Sequence, residues 1–219
     1  MKNIQTNEVE RKIYEPQNAI ACLVLAHGAG AGNQHEFMEM LSTSLCQLNI
    51  RVVSFNFPYM QTMYLENKRK PPNRLPILLE HFEKEVMLAK ETKLPLFISG
   101  KSMGGRIASI LNTQSNSLYG ALVYGYPFIP PGKPEKLAER TSHLPSQKSP
   151  LFIFQGERDT FGNKALLNSL SLPKEVSIEW VTDGDHSFKP RKASGKTIEQ
   201  NVELAAKQSA SFIVKQLSS

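Results

Sequence analysis

The sequence predicts an α/β fold: a mostly parallel sheet with helices on both faces, built as one domain over residues 1–219. Short apolar runs alternate with stretches of helical spacing along the chain, and this alternation is typical of strands joined by helical crossovers. A chain of 219 residues with 40% hydrophobic and 21% charged residues suits one large globular domain.

Each element follows from its local pattern. Apolar, β-branched or aromatic runs predict buried strands at residues 19–26, 50–57, 94–99, 118–124, 151–155 and 176–181. Apolar residues at helical spacing predict helices at residues 37–48, 75–90, 103–111, 164–170 and 198–217. Residues 4–14 are a candidate antiparallel edge strand. The proline-rich stretch 125–150 is too long for an ordinary connection, so it is a candidate small lid or binding segment.

Charge and targeting features narrow the function classes. The chain has 26 lysines and arginines against 20 aspartates and glutamates, a net charge of +6. Nucleic acid, an acidic surface and an anionic small molecule are the partners that suit such a basic protein. Aromatic residues do not interleave with the basic clusters, so we expect no nucleic-acid partner. No apolar run reaches about 18 residues and no secretion signal opens the chain, so we expect no membrane partner and a cytoplasmic protein.

The strongest chemical signal is Gly100-Lys101-Ser102-Met103-Gly104, a G-x-S-x-G motif between a predicted strand and a predicted helix. A sharp turn there would expose the hydroxyl of Ser102 above the sheet, at a helix N-terminus that favours developing negative charge. The alternative is a plain glycine-rich turn. A phosphate-binding loop is excluded because its first glycine would fall on Pro95.

A second glycine-rich segment, His27-Gly28-Ala29-Gly30-Ala31-Gly32, follows the first buried strand. Neither register of a dinucleotide fingerprint fits, since its last glycine would fall on Asn33 or His35. We interpret the segment as an oxyanion loop in which the Ala29 N–H acts together with the N–H of Met103, and His27 anchors the loop. A flexible connection is the alternative.

A serine nucleophile needs a base, and the base needs an orienting acid. His186 follows the last predicted strand and is the predicted base. Asp159 and Glu157 both follow the strand before it. Asp159 is the first candidate for the acid because it lies deeper in the loop. Asp183 and Asp185 are so near His186 in sequence that we expect them to shape its turn.

The order of these motifs resembles the α/β-hydrolase family. The resemblance rests on the two glycine-rich segments and on FNFPY at 55–59, GYP at 125–127, PPGKPEKL at 130–137, QGERD at 155–159 and GDHSF at 184–188. More narrowly, the sequence is similar to a compact, dienelactone-hydrolase-like subfamily related to testis-expressed protein 30 and to an animal chromatin-complex subunit.

The resemblance implies an α/β-hydrolase fold without a large cap domain. It assigns nucleophile, acid and base to Ser102, Asp159 and His186, and the oxyanion loop to residues 27–32. Tyr59 and Tyr126, within two of the matching motifs, are further candidates for contact with substrate. No cofactor and no metal are implied, and no metal-binding signature is present in the sequence.

Two functions from different classes therefore remain. The first is a serine hydrolase of an ester, thioester or similar acyl bond, and the second is a non-catalytic scaffold on the same fold. Basic clusters at residues 68–74, 133–140 and 189–196 follow strand ends, so an anionic acyl substrate is a candidate partner. The alternative is that these side chains are simply solvated.

Overall fold

A computed structural model describes residues 9–167 and 170–218 of the chain. Its seven strands form one sheet in the order β1-β3-β2-β4-β5-β6-β7, in which only β1 is antiparallel to its neighbour. The strands are β1 Arg11–Tyr14, β2 Ala21–Ala26, β3 Ile50–Phe55, β4 Leu96–Lys101, β5 Gly120–Tyr124, β6 Leu151–Gly156 and β7 Val176–Val181. The predicted mostly parallel sheet is confirmed.

Helices cover both faces of this sheet, also as predicted. They are α1 Glu36–Gln47, α2 Pro58–Glu66, α3 Leu75–Ala89, α4 Met103–Asn112, α5 Leu137–Thr141, α6 Lys164–Leu167 and α7 Ile198–Leu217. Alternate residues of each strand point to opposite faces. One side of β2, represented by Leu23, packs with α1 and α7, while the other, represented by Val24, packs with α3 and α4.

Two strands end at residues other than those predicted, close to Ser102 and to the glycine-rich segment at 27–32. β4 runs on to Lys101, two residues beyond the predicted end, so the strand leads directly into Ser102. β3 ends at Phe55 rather than at residue 57. Phe57 leaves the ladder because its backbone N–H donates to the Nε2 atom of His27, at 3.0 Å. That hydrogen bond joins the end of β3 to the glycine-rich segment after β2.

The edge strand and one helix differ from the prediction. β1 is antiparallel to β3, as expected, but the described part begins only after residue 8, so the first half of the predicted 4–14 strand lies outside it. Helix α2 was not predicted. It begins with Pro58 at its first position, where the missing N–H costs nothing, and it buries only Tyr59 and Met60. So narrow an apolar face leaves little periodic signal.

The irregular stretch 125–150 contains α5 and two 3₁₀ turns, and no large cap arises in the part of the chain that the structure describes. Buried hydrogen bonds tie this stretch to α4. Asn112 donates to Gln147 at 2.8 Å, and Gln147 donates to the carbonyl of Ser109 at 3.0 Å.

Candidate active site

Ser102 lies at a sharp turn between β4 and α4, with φ 52° and ψ −115°. A non-glycine residue at such a positive φ is strained and persists only where its surroundings enforce it. Here two glycines allow α4 to approach the sheet. A Cβ on Gly104 would lie 2.5 Å from the carbonyl oxygen of His27, and one on Gly100 would collide with the backbone of Gly104. The close packing fixes the turn and lifts the Ser102 hydroxyl to the sheet edge.

Three side chains meet in a hydrogen-bonded row at this edge. The Nε2 atom of His186 lies 2.7 Å from the Oγ atom of Ser102, and its Nδ1 atom lies 2.8 Å from an oxygen of Asp159. Asp159 is 0% exposed. The residues come from the ends of β4, β6 and β7, because parallel strands bring their carboxyl ends to one edge. The row has the geometry of a nucleophile, a base and an orienting acid.

Asp159 is held by further donors. Its Oδ1 atom accepts from the backbone N–H of Phe161 at 2.8 Å, and its Oδ2 atom also accepts from the side chain of Gln155 at 2.9 Å. Gln155 is the penultimate residue of β6 and is fully buried. Phe161 stacks on the ring of His186 with centroids 4.2 Å apart. These contacts fix both carboxylate and imidazole, and the sequence analysis had not singled out Gln155 or Phe161.

Glu157, the second candidate for the acid, is engaged elsewhere. Its carboxylate accepts from the backbone N–H of Asp183 at 2.8 Å and from Lys164 at 2.7 Å. Asp183 pairs with Arg191 at 2.6 Å. Asp185 accepts from two backbone N–H groups of the turn that follows it. The structure therefore brings Asp159 to the imidazole, while the other three carboxylates organise the loops around it.

The environment of His186 favours its neutral ring. Burial lowers the pKa of His186 below its ordinary value, and the positive charge of Lys101 lowers it further. The hydrogen bond and the charge of Asp159, together with the charge of Asp185, act in the opposite direction. A neutral imidazole is the form that can accept a proton from a serine hydroxyl.

The glycine-rich loop after β2 is anchored by His27. The Nδ1 atom of this buried ring donates to the carbonyl of Gly28 at 2.6 Å, while its Nε2 atom accepts from Phe57. Burial lowers the pKa of His27 to about 4, so the ring stays neutral. The hydroxyl of Tyr59 donates to the carbonyl of Ala29 at 2.9 Å. Both nitrogens of His27 are occupied, which leaves it an anchor rather than a base.

A pocket of about 300 Å³ opens beside Ser102. It combines an apolar wall with a few polar groups, as ligand sites do. The apolar part of the wall comes from Ala29, Ala31, Phe37, Met38 and Phe161, and the polar part includes His35, Lys101, Ser102 and His186. Gly28 also lines it. Met103, the other predicted oxyanion donor, is the first residue of α4 and directly follows Ser102.

Tyr59 and Tyr126, the two tyrosines predicted to contact substrate, are both buried. Neither Tyr59 nor Tyr126 lines this pocket. Tyr59 supports the loop from behind through Ala29. Tyr126 is fully buried, and its hydroxyl donates to the carbonyl of Arg140 at 2.7 Å. Each hydroxyl therefore donates to a backbone carbonyl, which suits a buried aromatic ring with one polar tip.

Lys101 is a further site residue that the sequence analysis did not single out. Its side chain is buried, and its Nζ atom donates to the backbone carbonyl of His186 at 2.6 Å. Burial lowers the pKa of Lys101 to about 8. One signal was available: a lysine immediately before the candidate nucleophile, at the end of an apolar strand. The predicted strand stopped at residue 99, which left this lysine in a loop.

The basic clusters are partly neutralised by acidic neighbours. Lys70 pairs with Glu66 at 2.9 Å and Lys136 with Glu139 at 2.8 Å. Arg191 pairs with Asp183, as above. Lys101 is the single lysine or arginine in the wall of the described pocket. The expected ring of free positive charge is therefore weaker than the count of basic residues suggests.

Between residues 9 and 167 and between 170 and 218, no three His, Cys, Asp or Glu side chains converge so that they could hold a metal ion. Within that part of the chain, no helix has both the length and the apolar content needed to cross a bilayer.

Comparison with known proteins agrees with the architecture. Residues 19–214 match the family described as alpha/beta hydrolase domain. No curated protein matches the chain significantly. Among solved structures, an alpha-beta serine hydrolase homologue from Coxiella burnetii is 18% identical over 94% of this chain and 95% of its own, with a TM-score of 0.67.

Two further structures have similar folds. Est1E from Butyrivibrio proteoclasticus is 10% identical over 100% of this chain and 99% of its own, with a TM-score of 0.68. A dienelactone hydrolase from Anabaena variabilis is 16% identical over 94% of both chains, with a TM-score of 0.65. Identities this low establish the fold alone, whereas the family match spans most of the sequence. The chain therefore belongs to the alpha/beta hydrolase domain family.

Proposed function

We propose that the protein is a serine hydrolase that cleaves an ester, thioester or similar acyl bond through a covalent acyl-enzyme. The observation that carries the proposal is the continuous row from the Ser102 hydroxyl through His186 to the buried Asp159 carboxylate, with contacts of 2.7 and 2.8 Å. Supporting it, the row opens onto a pocket and ends on a carboxylate whose other donors are the neutral Gln155 side chain and the Phe161 N–H. A scaffold has no use for that combination.

In the proposed reaction, the Oγ atom of Ser102 attacks the carbonyl carbon while its proton passes to the Nε2 atom of His186. Asp159 accepts the hydrogen bond from Nδ1–H and stabilises the imidazolium that forms. The N–H groups of Ala29 and Met103 bind the developing oxyanion. His186 then returns the proton to the leaving group. Water, deprotonated by the same ring, attacks the acyl-enzyme and releases the acid.

The pocket limits the substrate that we propose. A volume of about 300 Å³ is at the small end of ligand sites, which span about 300–1,000 Å³. Its apolar wall suits a short acyl group rather than a long chain. We further propose that the chain is related to the compact, dienelactone-hydrolase-like subfamily that its motifs resemble, where a scaffold role is the alternative function.

The proposed function is tested by an active-site-directed fluorophosphonate, which requires a nucleophile, a base and an oxyanion site but no knowledge of the substrate. The wild type should be labelled at Ser102, and faster at pH 8 than at pH 5.5, because less of the His186 ring is neutral in acid. Labelling should vanish in Ser102→Ala and fall sharply in His186→Ala.

Ser109→Ala is the matched control, since Ser109 also contacts a histidine but lies buried within α4. It should be labelled like the wild type. A folded wild-type protein that stays unlabelled at pH 8 would favour the scaffold alternative.

A further inference from the structure

A buried lysine stands directly beside the proposed base. Lys101 is the last residue of β4, it is 8% exposed, and its Nζ atom lies 2.6 Å from the backbone carbonyl oxygen of His186. The ammonium also lies 5.6 Å from the ring centroid of Phe37. Gly125 leaves room for it, since a Cβ there would come within 3.0 Å of both the Nζ atom and the His186 carbonyl oxygen.

The ammonium has no carboxylate in contact. Among the described residues the Nζ atom donates to a neutral carbonyl and forms no ion pair. Asp159 and Asp185 act on it only through space. A buried charge without a contacting partner is costly. An apolar side chain such as methionine would fill the same space without that cost, so packing alone does not account for a lysine here.

What the lysine does supply is a fixed donor and a nearby positive charge. The donor holds the backbone of the residue that carries the imidazole, across a sequence separation of 85 residues. The charge disfavours protonation of the same ring, while Asp159, from the loop after β6, and Asp185, from the loop after β7, favour it. Phe37, at the start of α1, closes the remaining side with an uncharged ring.

We propose that Lys101 is a positioning residue: it fixes the backbone of His186, and its charge keeps the His186 ring in the neutral, proton-accepting form. The proposal rests on the proposed function, because it matters for catalysis only if His186 acts as a base. It predicts that the rate at low pH depends on a residue that hydrogen-bonds to the backbone of the proposed base and not to the reacting atoms.

The test compares Lys101→Met with the wild type in two measurements. Titration of the His186 ring by NMR should give a pKa about one pH unit higher in the variant, because a nearby like charge has been removed. The pH profile of fluorophosphonate labelling should move in the same direction. At pH 5.5 the variant should then be labelled several-fold more slowly than the wild type. At pH 8, where the His186 ring is neutral in both proteins, this difference should be smaller. Any deficit that remains at pH 8 measures the lost backbone contact.

Two further variants serve as controls. Lys101→Arg keeps the charge and a donor, so its rate of labelling at low pH should stay near that of the wild type. This variant also covers the case in which the methionine variant does not fold. Lys164→Met removes an exposed lysine that pairs with Glu157 on a neighbouring loop, and it should leave both measurements unchanged. A uniform loss of rate at every pH in Lys101→Met, with no change in the titration of His186, would overturn the proposal.

The two proposals fail in different ways. If the wild type is never labelled but the NMR titration still moves in Lys101→Met, the hydrolase function is wrong and the effect of Lys101 on the ring stands. If labelling follows the proposed function but the titration does not move, the hydrolase stands and the role of Lys101 is wrong.

Discussion

Two serine–histidine contacts of nearly equal length lie within the described part of the chain. In one, the Nε2 atom of His186 lies 2.7 Å from the Oγ atom of Ser102; in the other, the Nε2 atom of His143 lies 2.8 Å from that of Ser109. The two serines lie seven residues apart in sequence. Ser102 lies at a strained turn at the pocket, whereas Ser109 is fully buried in the middle of α4.

The groups around each pair explain why only one resembles a catalytic site. His186 has the Asp159 carboxylate on its second nitrogen. Among the described residues no carboxylate bonds to His143. Burial and the nearby charge of Arg106 lower the pKa of His143 to about 4. The Ser109 hydroxyl is also committed, since it donates to the carbonyl of Arg106 at 2.8 Å. A short serine–histidine distance is therefore a structural contact unless an acid, a free hydroxyl proton and an open pocket accompany it.

Replacing each serine in turn should separate the two pairs most clearly. Ser102→Ala should lower kcat on an activated ester about 10⁶-fold, because a nucleophile has no substitute. Ser109→Ala should leave kcat within about twofold and act on stability instead, by about 1 kcal/mol for the lost hydrogen bonds. Steady-state kinetics and urea denaturation of both variants provide the measurement. Similar rate losses in the two would contradict the distinction.

Replacing Asp159, the proposed orienting acid, should have the next largest effect on the rate. Asp159→Asn should lower kcat on the order of 10⁴-fold, since the amide no longer enforces the imidazole tautomer that accepts the serine proton. Glu157→Gln is the matched control on the same loop. It should leave the rate near that of the wild type because the Glu157 carboxylate bonds to Lys164 and to the backbone of Asp183 rather than to His186. The reverse order of these two effects would transfer the role of the acid to Glu157.

Low pH should destabilise the fold through His143, the histidine of the second pair. The folded pKa of His143 is lowered to about 4, whereas the unfolded chain binds that proton near pH 6.5. Between those values the unfolded state binds more protons, so the free energy of unfolding falls as the pH falls from 6.5 to 4. Because His143 is partly solvent-exposed, the contribution should be about 1–2 kcal/mol rather than the full value of such a shift.

His143→Asn removes this titration and provides the comparison. We expect urea denaturation at several pH values to give a difference in unfolding free energy between the wild type and the variant that changes between about pH 4 and pH 6.5. It should be constant above pH 6.5. A difference that does not depend on pH would show that His143 titrates normally in the fold.

The smallest expected effect concerns substrate charge. Arg158 and Arg191 pair with Asp183, but Lys189 and Lys192 are exposed beside the pocket loops. A carboxylated ester should therefore react with a kcat/KM less than about tenfold above that of a matched neutral ester at low salt. The advantage should shrink at 1 M salt, where the Debye length is about 3 Å. Equal values with an equal salt response would remove any role for these charges.

The sequence predicted most of the sheet and the three residues of the row, for physical reasons. A buried parallel strand needs a continuous apolar run, and a tight strand–helix turn needs glycines at Gly100 and Gly104, so both leave signals that are local in sequence. Asp159 and His186 could be placed because each follows a strand that the pattern had already located. Chain order then reduced the choices to a few residues.

What the sequence did not predict depends on distant contacts. The role of Lys101 arises from a carbonyl 85 positions away, and Gln155 reaches Asp159 and the loop at Gly162 only after β6 has entered the sheet. Tyr59 and Tyr126 were assigned to substrate from their motifs alone, although their hydroxyls face backbone carbonyls in the interior. Helix α2 was missed because its few buried residues give almost no periodic pattern.

Because the row spans three strand ends, activity should report the first part of the fold to come apart. His186 follows β7, which lies at the edge of the described sheet and pairs there with β6. Edge strands can detach locally at a lower free energy than central ones. A modest dose of urea that frees β7 would move the imidazole away from Ser102 while most helices persist. Enzymatic inactivation should then precede the loss of helical circular dichroism, so residual activity would detect early damage to this protein before spectroscopy does.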